Sequence, residues 1–148
     1  MRKVGWILLT LGLLAAPVWA QATVTETEAA RAVFQVILEV SQEHWGFIAP
    51  EKAVDFIESL NPFILDVRTP KEWAETGVIP GAVKITLTEL DKHLGELPPK
   101  TRPILVYCKA GARGQYALTY LKLLGYKNVK NLKGGITAWL NAGLPVEK

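Results

Sequence analysis

The sequence predicts an α/β fold in which a parallel sheet carries helices on both faces. Two short apolar runs bounded by turn residues, residues 63–67 and 104–107, are typical of buried strands. Residues 128–132, near the C-terminus, are predicted to form the last strand. Segments with apolar residues at helical spacing separate these runs. Strands that alternate with helices in this way favour a parallel sheet with a helix layer on each side.

The N-terminal half supplies the first elements. Thr25 and Glu28 have the spacing of a capping box, and an apolar stripe follows, which predicts a helix over residues 27–44. This helix either packs on the domain or binds a partner, and packing is the expected outcome. Residues 45–48 are predicted to form a short strand, and Pro50 is predicted to begin the next helix.

The central and C-terminal elements follow from turn and capping residues. Thr69, Pro70 and Glu72 indicate the start of a short helix that ends by Gly77. A strand is predicted at residues 82–85, and the capping-box spacing of Thr86 and Glu89 predicts a helix as far as residue 94. After the strand at residues 104–107, helices are expected at residues 115–124 and 136–141, on either side of the last strand.

The first twenty residues have the pattern of a secretory signal peptide. Arg2 and Lys3 precede an apolar run over residues 4–16, and small residues stand at positions −3 and −1 of a cleavage site after Ala20. This pattern predicts export, and so a periplasmic or secreted protein. The alternative is an uncleaved membrane anchor, although the run is short for a span, which needs roughly 20 apolar residues.

Composition limits the classes of partner. The formal net charge of the 148 residues is +3, and loss of the signal would lower it by two, which argues against a nucleic-acid partner. Contact with a membrane is expected only through an uncleaved signal segment. The chain has one cysteine and two histidines that are distant from it in sequence, so we expect neither a metal site nor a cofactor.

Cys108, the single cysteine, is the strongest candidate for chemistry. It follows the strand at residues 104–107, and sites in parallel α/β sheets lie at the carboxyl ends of the strands, so we expect its sulfur to face solvent. The small residues after it, including Gly111 and Gly114, allow backbone N–H groups to converge on an anion. The N-terminus of the following helix adds partial positive charge, and both effects favour the nucleophilic thiolate.

Three ordered motifs resemble the rhodanese-like sulfurtransferases. Cys108, Gly111 and Arg113 are similar to the family's active-site loop, and residues 65–82 and 134–139 are similar to its other two signatures. The resemblance covers residues 48–144 and implies a five-stranded, mainly parallel rhodanese-like sheet. It divides the chain into a signal peptide at 1–20, an N-terminal helical extension at 21–45 and a rhodanese-like domain at 46–148.

The resemblance implies a two-step reaction. Cys108 would be the catalytic residue, taking a sulfane sulfur from a small anionic donor such as thiosulfate and passing it to cyanide or a thiol, with a protein acceptor as a further candidate. Asp66 and Arg68 are assigned a supporting role, which we expect to be structural. The predicted substrate-binding residues all lie in the loop after the cysteine: Lys109, Ala110, Gly111, Ala112, Arg113 and Gly114.

Several points stay open in the sequence. Arg113 either binds the anionic donor or pins the loop to a nearby carboxylate. Val78 stands where the family pattern has histidine, and Gly114 stands where it often has a hydroxyl residue. One alternative function is a non-catalytic persulfide carrier or interaction module that docks through the N-terminal helix. Another is a cysteine phosphatase or arsenate reductase, although a phosphatase loop has its arginine at the position of Gly114.

Overall fold

The computed structural model describes residues 25–148, so the predicted signal peptide lies outside the described residues. Five strands in this range form one sheet in the order β1-β5-β4-β2-β3, and every pairing is parallel. The predicted α/β class is therefore confirmed. The strands are β1 (Phe47–Ile48), β2 (Phe63–Asp66), β3 (Val83–Lys84), β4 (Ile104–Tyr107) and β5 (Val129–Leu132).

Helices cover both faces of the sheet. Alternate residues of the central strand β4 enter different core layers, because side chains along a strand point to opposite faces. Val106 packs in the layer that includes Leu118 of α4, whereas Leu105 packs in the layer that includes Ala53 of α2 and Trp139 of α5. The helices are α1 (Glu26–Gln42), α2 (Pro50–Leu60), α3 (Pro70–Thr76), α4 (Ala112–Leu123) and α5 (Gly135–Asn141).

The N-terminal helix α1 packs on α4, as expected. Its capping box of Thr25 and Glu28 is present. Val40 is its buried apolar anchor. The ammonium of Lys122 on α4 contacts carboxylate oxygens of Glu39 and Glu43 at 3.2 and 3.4 Å. A lysine with a nearly fully buried side chain needs such partners, because an unpaired buried charge is strongly destabilising. The extension is thus fixed to the domain by apolar contacts around Val40 and by the ion pairs of Lys122.

Some predicted local elements were wrong. Thr86 makes no side-chain capping bond, and residues Leu87–Glu96 form 3-10 turns, because the N–H of Glu89 donates to the backbone carbonyl of Thr86 rather than to its side chain. Before β1, residues His44–Gly46 form a 3-10 turn rather than the start of a strand. Helix α4 begins at Ala112, three residues earlier than predicted. No helix among residues 25–148 has both the length and the hydropathy needed to cross a membrane.

Candidate active site

Cys108 lies directly after β4 and below the loop that follows it. Its exposed fraction is only 1%, and its Sγ accepts a hydrogen bond of 3.1 Å from the backbone N–H of Gly111. The expectation that the sulfur faces solvent was therefore wrong. The alternation along β4 turns this side chain into the layer that contains α4, and the loop folds back over it. The site is a recessed sulfur with an inward-pointing amide.

The N-terminus of α4 forms part of the same loop. Gly111 is the N-cap and has φ of 110°, a left-handed conformation that side chains other than glycine rarely adopt. Ala112, Arg113 and Gly114 form the first turn, so their N–H groups have no acceptor within the helix. The positive end of the helix dipole accordingly lies in the segment that covers Cys108. This local charge favours an anion at the loop.

Asn131 supports the loop from the sheet side. This fully buried residue of β5 donates from Nδ2 to the carbonyl of Gly111 at 3.0 Å and to Oε1 of Gln115 at 3.1 Å. A Cβ at position 114 would lie 2.3 Å from Oδ1 of Asn131, so only glycine fits beside it. Sequence analysis missed Asn131, and its residue type gave no signal, because three of the five residues in the predicted strand at 128–132 are polar.

The first turn of α5 holds the loop from a second side. The backbone N–H of Ile136 donates to the carbonyl of Cys108 at 2.8 Å, and the N–H and hydroxyl of Thr137 donate to the carbonyl of Lys109 at 3.1 and 2.9 Å. A Cβ on Gly135 would lie 2.2 Å from the Cys108 carbonyl oxygen. The motif at residues 134–139 therefore holds the backbone carbonyls of Cys108 and Lys109. It requires glycine at position 135 because the two backbone segments approach each other closely there.

Arg113 is bonded to Glu72, a residue that sequence analysis assigned only to helix capping. Nη1 donates to Oε2 at 2.8 Å, and Nη2 donates to Oε1 at 2.6 Å. The same carboxylate caps α3 by accepting from the backbone and hydroxyl of Thr69, as predicted. The hydrogen bonds from Arg113, reinforced by those from Thr69, lower the pKa of Glu72 to about 2. The loop is therefore tied to α3, while anion binding by Arg113 stays a prediction.

Asp66 and Arg68 form a buried ion pair beside the site. Arg68 donates from Nη2 to Oδ2 of Asp66 at 2.6 Å and to the carbonyl of Gly77 at 2.7 Å, and from Nη1 to the hydroxyl of Thr76 at 2.6 Å. Burial is the main effect that raises the pKa of neighbouring Tyr107 above its ordinary value. The bonds to Thr76 and Gly77 join the guanidinium of Arg68 to the end of α3, the helix that carries Glu72. This geometry fits the structural role expected of Asp66 and Arg68.

The remaining predicted residues divide by exposure. Lys109, Ala110 and Ala112 are exposed on the outer side of the loop, whereas Gly111 and Gly114 are buried. Val78, at the family's histidine position, is buried and exchanges two backbone hydrogen bonds with Glu147. Its side chain is therefore part of the packing of the C-terminal segment.

Neither His44 nor His93 is hydrogen-bonded to the thiol of Cys108. Nδ1 of His93 pairs with Glu96 at the surface, and His44 is exposed in the turn before β1. Within residues 25–148, no three histidine, cysteine or acidic side chains cluster closely enough to hold a metal ion. The described residues thus place one thiol next to the backbone N–H of Gly111, at the N-terminus of α4.

Comparison with known proteins identifies the family. The model of the rhodanese-like domain family matches residues 49–142. The chain is a rhodanese-like protein. One relative is a sulfurtransferase of Allochromatium vinosum, to which the chain is 42% identical. The match covers 56% of this chain and 76% of that protein. It is 32% identical to the thiosulfate sulfurtransferase GlpE of Actinobacillus succinogenes, over 68% of this chain and 88% of that protein.

A solved structure agrees with the rhodanese-like fold. A rhodanese-related protein from Thermoplasma volcanium superposes with a TM-score of 0.62 at 30% identity, covering 68% of this chain and 96% of that one. The predicted family is thus confirmed. The match to the family model begins at residue 49. This match therefore does not include α1, the turn at His44–Gly46 or β1.

Proposed function

We propose that this protein is a sulfurtransferase that carries sulfur as a persulfide on Cys108. The observation that carries the proposal is the hydrogen bond from the Gly111 N–H to Sγ, in a loop that also holds the positive end of α4. Such donors stabilise negative charge that develops on sulfur. The names of the two sulfurtransferase relatives support the same chemistry.

In the first step, the Cys108 thiolate attacks the outer sulfur of thiosulfate. A bond forms between Sγ and this sulfur, the sulfur–sulfur bond of thiosulfate breaks, and sulfite leaves with the electron pair. In the second step, cyanide or a thiolate attacks the outer persulfide sulfur and releases the Cys108 thiolate, giving thiocyanate or a new persulfide. The transfer is thereby divided into two displacements, as in other covalent catalysis.

The loop assigns distinct binding roles. Lys109 is exposed beside the cysteine and attracts the dianionic donor, whereas the backbone N–H groups of Gly111, Ala112 and Gly114 stabilise the anionic persulfide. Arg113 places its charge near the donor from a position fixed by Glu72. Because the sulfur is recessed, the donor approaches from the side of Lys109, Ala110 and Ala112.

Mass spectrometry of the purified protein after incubation with thiosulfate tests the proposal. The expected result is a mass gain of about one sulfur atom that cyanide removes and that Cys108→Ser abolishes. Lys109→Ala is expected to raise the thiosulfate KM more than it lowers kcat, because it removes attraction rather than the nucleophile. A protein that gains no sulfur, under conditions in which a reference sulfurtransferase does, would contradict the proposal.

The phosphatase and arsenate reductase alternative is disfavoured by packing. A phosphatase loop needs an arginine six positions after the cysteine, where this chain has Gly114. Any side chain there would meet Asn131, because even a Cβ would lie 2.3 Å from its Oδ1. Hydrolysis of p-nitrophenyl phosphate that depends on Cys108 would reverse this ranking.

We propose in addition that the protein is exported and that its signal is cleaved after Ala20. The basic start and short apolar run of residues 1–20 support this proposal. N-terminal sequencing of protein from the cell-envelope fraction is expected to begin at Gln21. An intact N-terminus in the membrane fraction would instead support the anchor.

A further inference from the structure

Two cavities lie side by side where the N-terminal extension meets the domain. One, of about 420 Å³, lies between α1 and α4, with Val33, Ile37, Trp45 and Tyr116 among its lining residues. The other, of about 540 Å³, is lined by Trp45, Phe47 and Lys133 together with Ser41, His44 and Ala49. Trp45 lines both, so the two cavities adjoin each other, and together they are called the groove below.

This groove borders the loop that covers Cys108. Cε1 of Phe47 lies 3.7 Å from the point that a Cβ on Gly111 would occupy. Gln115, which lines the first cavity, is bonded to the same Asn131 that holds Gly111. The groove therefore begins at the residue whose N–H contacts the sulfur.

The groove presents aromatic side chains to solvent. Tyr116, Trp45 and Phe47 have exposed fractions of 69%, 50% and 38%. Trp45 also has φ of 60°, a left-handed conformation that is uncommon for a bulky residue and costs about 1–3 kcal/mol. A strained backbone that leaves the indole of Trp45 half-exposed does not stabilise the fold. Tryptophan and tyrosine are, in contrast, enriched among the residues that dominate binding between proteins.

Two lysines without carboxylate partners in the described part of the chain lie at the end of the groove that borders the Cys108 loop, Lys133 in its lining and Lys109 directly after Cys108. Lys109 and Lys133 are exposed, and neither forms an ion pair with any residue in the range 25–148. Lys122 and Lys130, by comparison, both contact Glu43. Free cations beside exposed aromatic rings complement a partner that carries carboxylates and apolar side chains. A small inorganic anion would pair with Lys109 and Lys133 but would not fill the groove.

We propose that Trp45, Phe47, Tyr116, Lys109 and Lys133 form a docking surface for a protein acceptor of the sulfur. The acceptor presents its thiol on a short segment with acidic and apolar side chains. The proposal rests on the proposed sulfurtransferase function. The thiolate of the acceptor attacks the outer sulfur of the Cys108 persulfide, and the bond from Sγ to that sulfur breaks. The Cys108 thiolate is released, and the acceptor carries the persulfide.

A protein fits this surface better than a small thiol does. The α1 wall from Val33 to Val40 alone extends about 10 Å at the helical rise per residue. The groove then continues past Trp45 to Lys133. A recessed sulfur also favours an acceptor that reaches in from an anchored position. Since α1, Trp45 and Phe47 precede the family match at residue 49, the extension supplies acceptor specificity to a common catalytic domain.

Single-turnover transfer from the Cys108 persulfide to three acceptors tests the surface. The probes are a synthetic peptide with one cysteine flanked by leucine and glutamate, the same peptide with lysine in place of glutamate, and cyanide. We expect faster transfer to the glutamate peptide than to the lysine peptide, and a difference that shrinks as salt is added. Equal rates with the two peptides would overturn the proposal.

Variants locate the effect on the molecule. Trp45→Asn, which tolerates the left-handed backbone, combined with Tyr116→Ala is expected to lower the ratio of peptide to cyanide transfer rates roughly tenfold. Phe34→Ala is the matched control, because Phe34 is exposed on α1 and does not line the groove. It should leave both rates unchanged. An equal loss with cyanide and peptide would overturn the docking role.

A binding measurement separates this proposal from the sulfurtransferase function. Fluorescence anisotropy of a labelled glutamate peptide, with serine in place of its cysteine, is measured on the Cys108→Ser protein. Binding that Lys133→Glu weakens would support the surface even if no persulfide forms with thiosulfate. Absence of binding together with normal thiocyanate formation would refute the surface and leave the proposed function intact.

Discussion

Arg113 and Glu72 lie 41 positions apart in the chain and meet through two parallel hydrogen bonds of 2.8 and 2.6 Å. The pair joins the helix that follows Cys108 to the capping box of α3. A bidentate arginine–carboxylate pair fixes orientation as well as distance. The guanidinium is thus a structural connection between the loop after Cys108 and the neighbouring strand–helix corner.

Replacement of Glu72 by glutamine is expected to destabilise the protein in a pH-dependent way. The carboxylate has its pKa lowered to about 2 in the folded protein. Its contribution is therefore complete above the unfolded pKa of about 4.3 and is lost as the pH falls from about 5 towards 2. At pH 7 we expect a loss of about 2 kcal/mol, allowing for solvent screening of this partly exposed pair.

Denaturant unfolding of both proteins across this pH range measures the effect. The difference in free energy of unfolding between wild type and Glu72→Gln should shrink as the pH is lowered. Glu75→Gln is the control, since Glu75 is exposed and its nearest cation, Lys71, is 3.9 Å away. A difference that stays constant with pH would contradict the ionic role of Glu72.

Replacement of Gly114 by alanine is expected to destabilise the loop. The new Cβ would lie 2.3 Å from Oδ1 of Asn131, and overpacking of this kind costs about 1–3 kcal/mol. Thermal unfolding should show a lower midpoint, with part of the loss recovered in the double variant with Asn131→Ala. Gly95→Ala is the control, because no atom lies within 4 Å of its Cβ position. Equal losses at both glycines would refute the steric argument.

Replacement of Gly135 by alanine is expected to abolish sulfur transfer. A Cβ there would be 2.2 Å from the Cys108 carbonyl oxygen, so the cysteine backbone or α5 must move, and the bond from the Ile136 N–H to that oxygen is lost. Gly143→Ala separates the clash from backbone strain, because Gly143 has φ of 70° and open space around it. Thiocyanate formation should survive in Gly143→Ala. Retained activity in Gly135→Ala would contradict the clamp.

Replacement of Lys122 by methionine is expected to loosen α1 while leaving the sheet intact. The change removes the cation that holds Glu39 and Glu43, so hydrogen exchange along α1 should accelerate more than exchange in β4. Lys130→Met is the comparison, since Lys130 is 4.0 Å from Glu43 and more exposed. If exchange in α1 is unchanged, Val40 and its apolar neighbours suffice to dock the helix.

Much of the fold was predictable because its signals are local. The capping boxes at Thr25 and Thr69 depend on residues three positions apart, and the strand around Val106 depends on a continuous apolar run. The capping box predicted at Thr86 was wrong because the N–H of Glu89 donates to the backbone carbonyl of Thr86, which closes a 3-10 turn. The same residue spacing fits both a capped α-helix and a 3-10 turn, so the local pattern does not distinguish them.

The sequence by itself determined the family, the alternation of strands and helices, and the choice of Cys108 as the candidate nucleophile, since each depends on neighbours along the chain. Only the tertiary structure decided that the sulfur is recessed, that Arg113 is held by Glu72, and that Asn131 and Gly135 hold the loop. These contacts join residues 20 or more positions apart in most cases. Their geometry depends on which strands are adjacent in the sheet, and that order is a property of the folded chain.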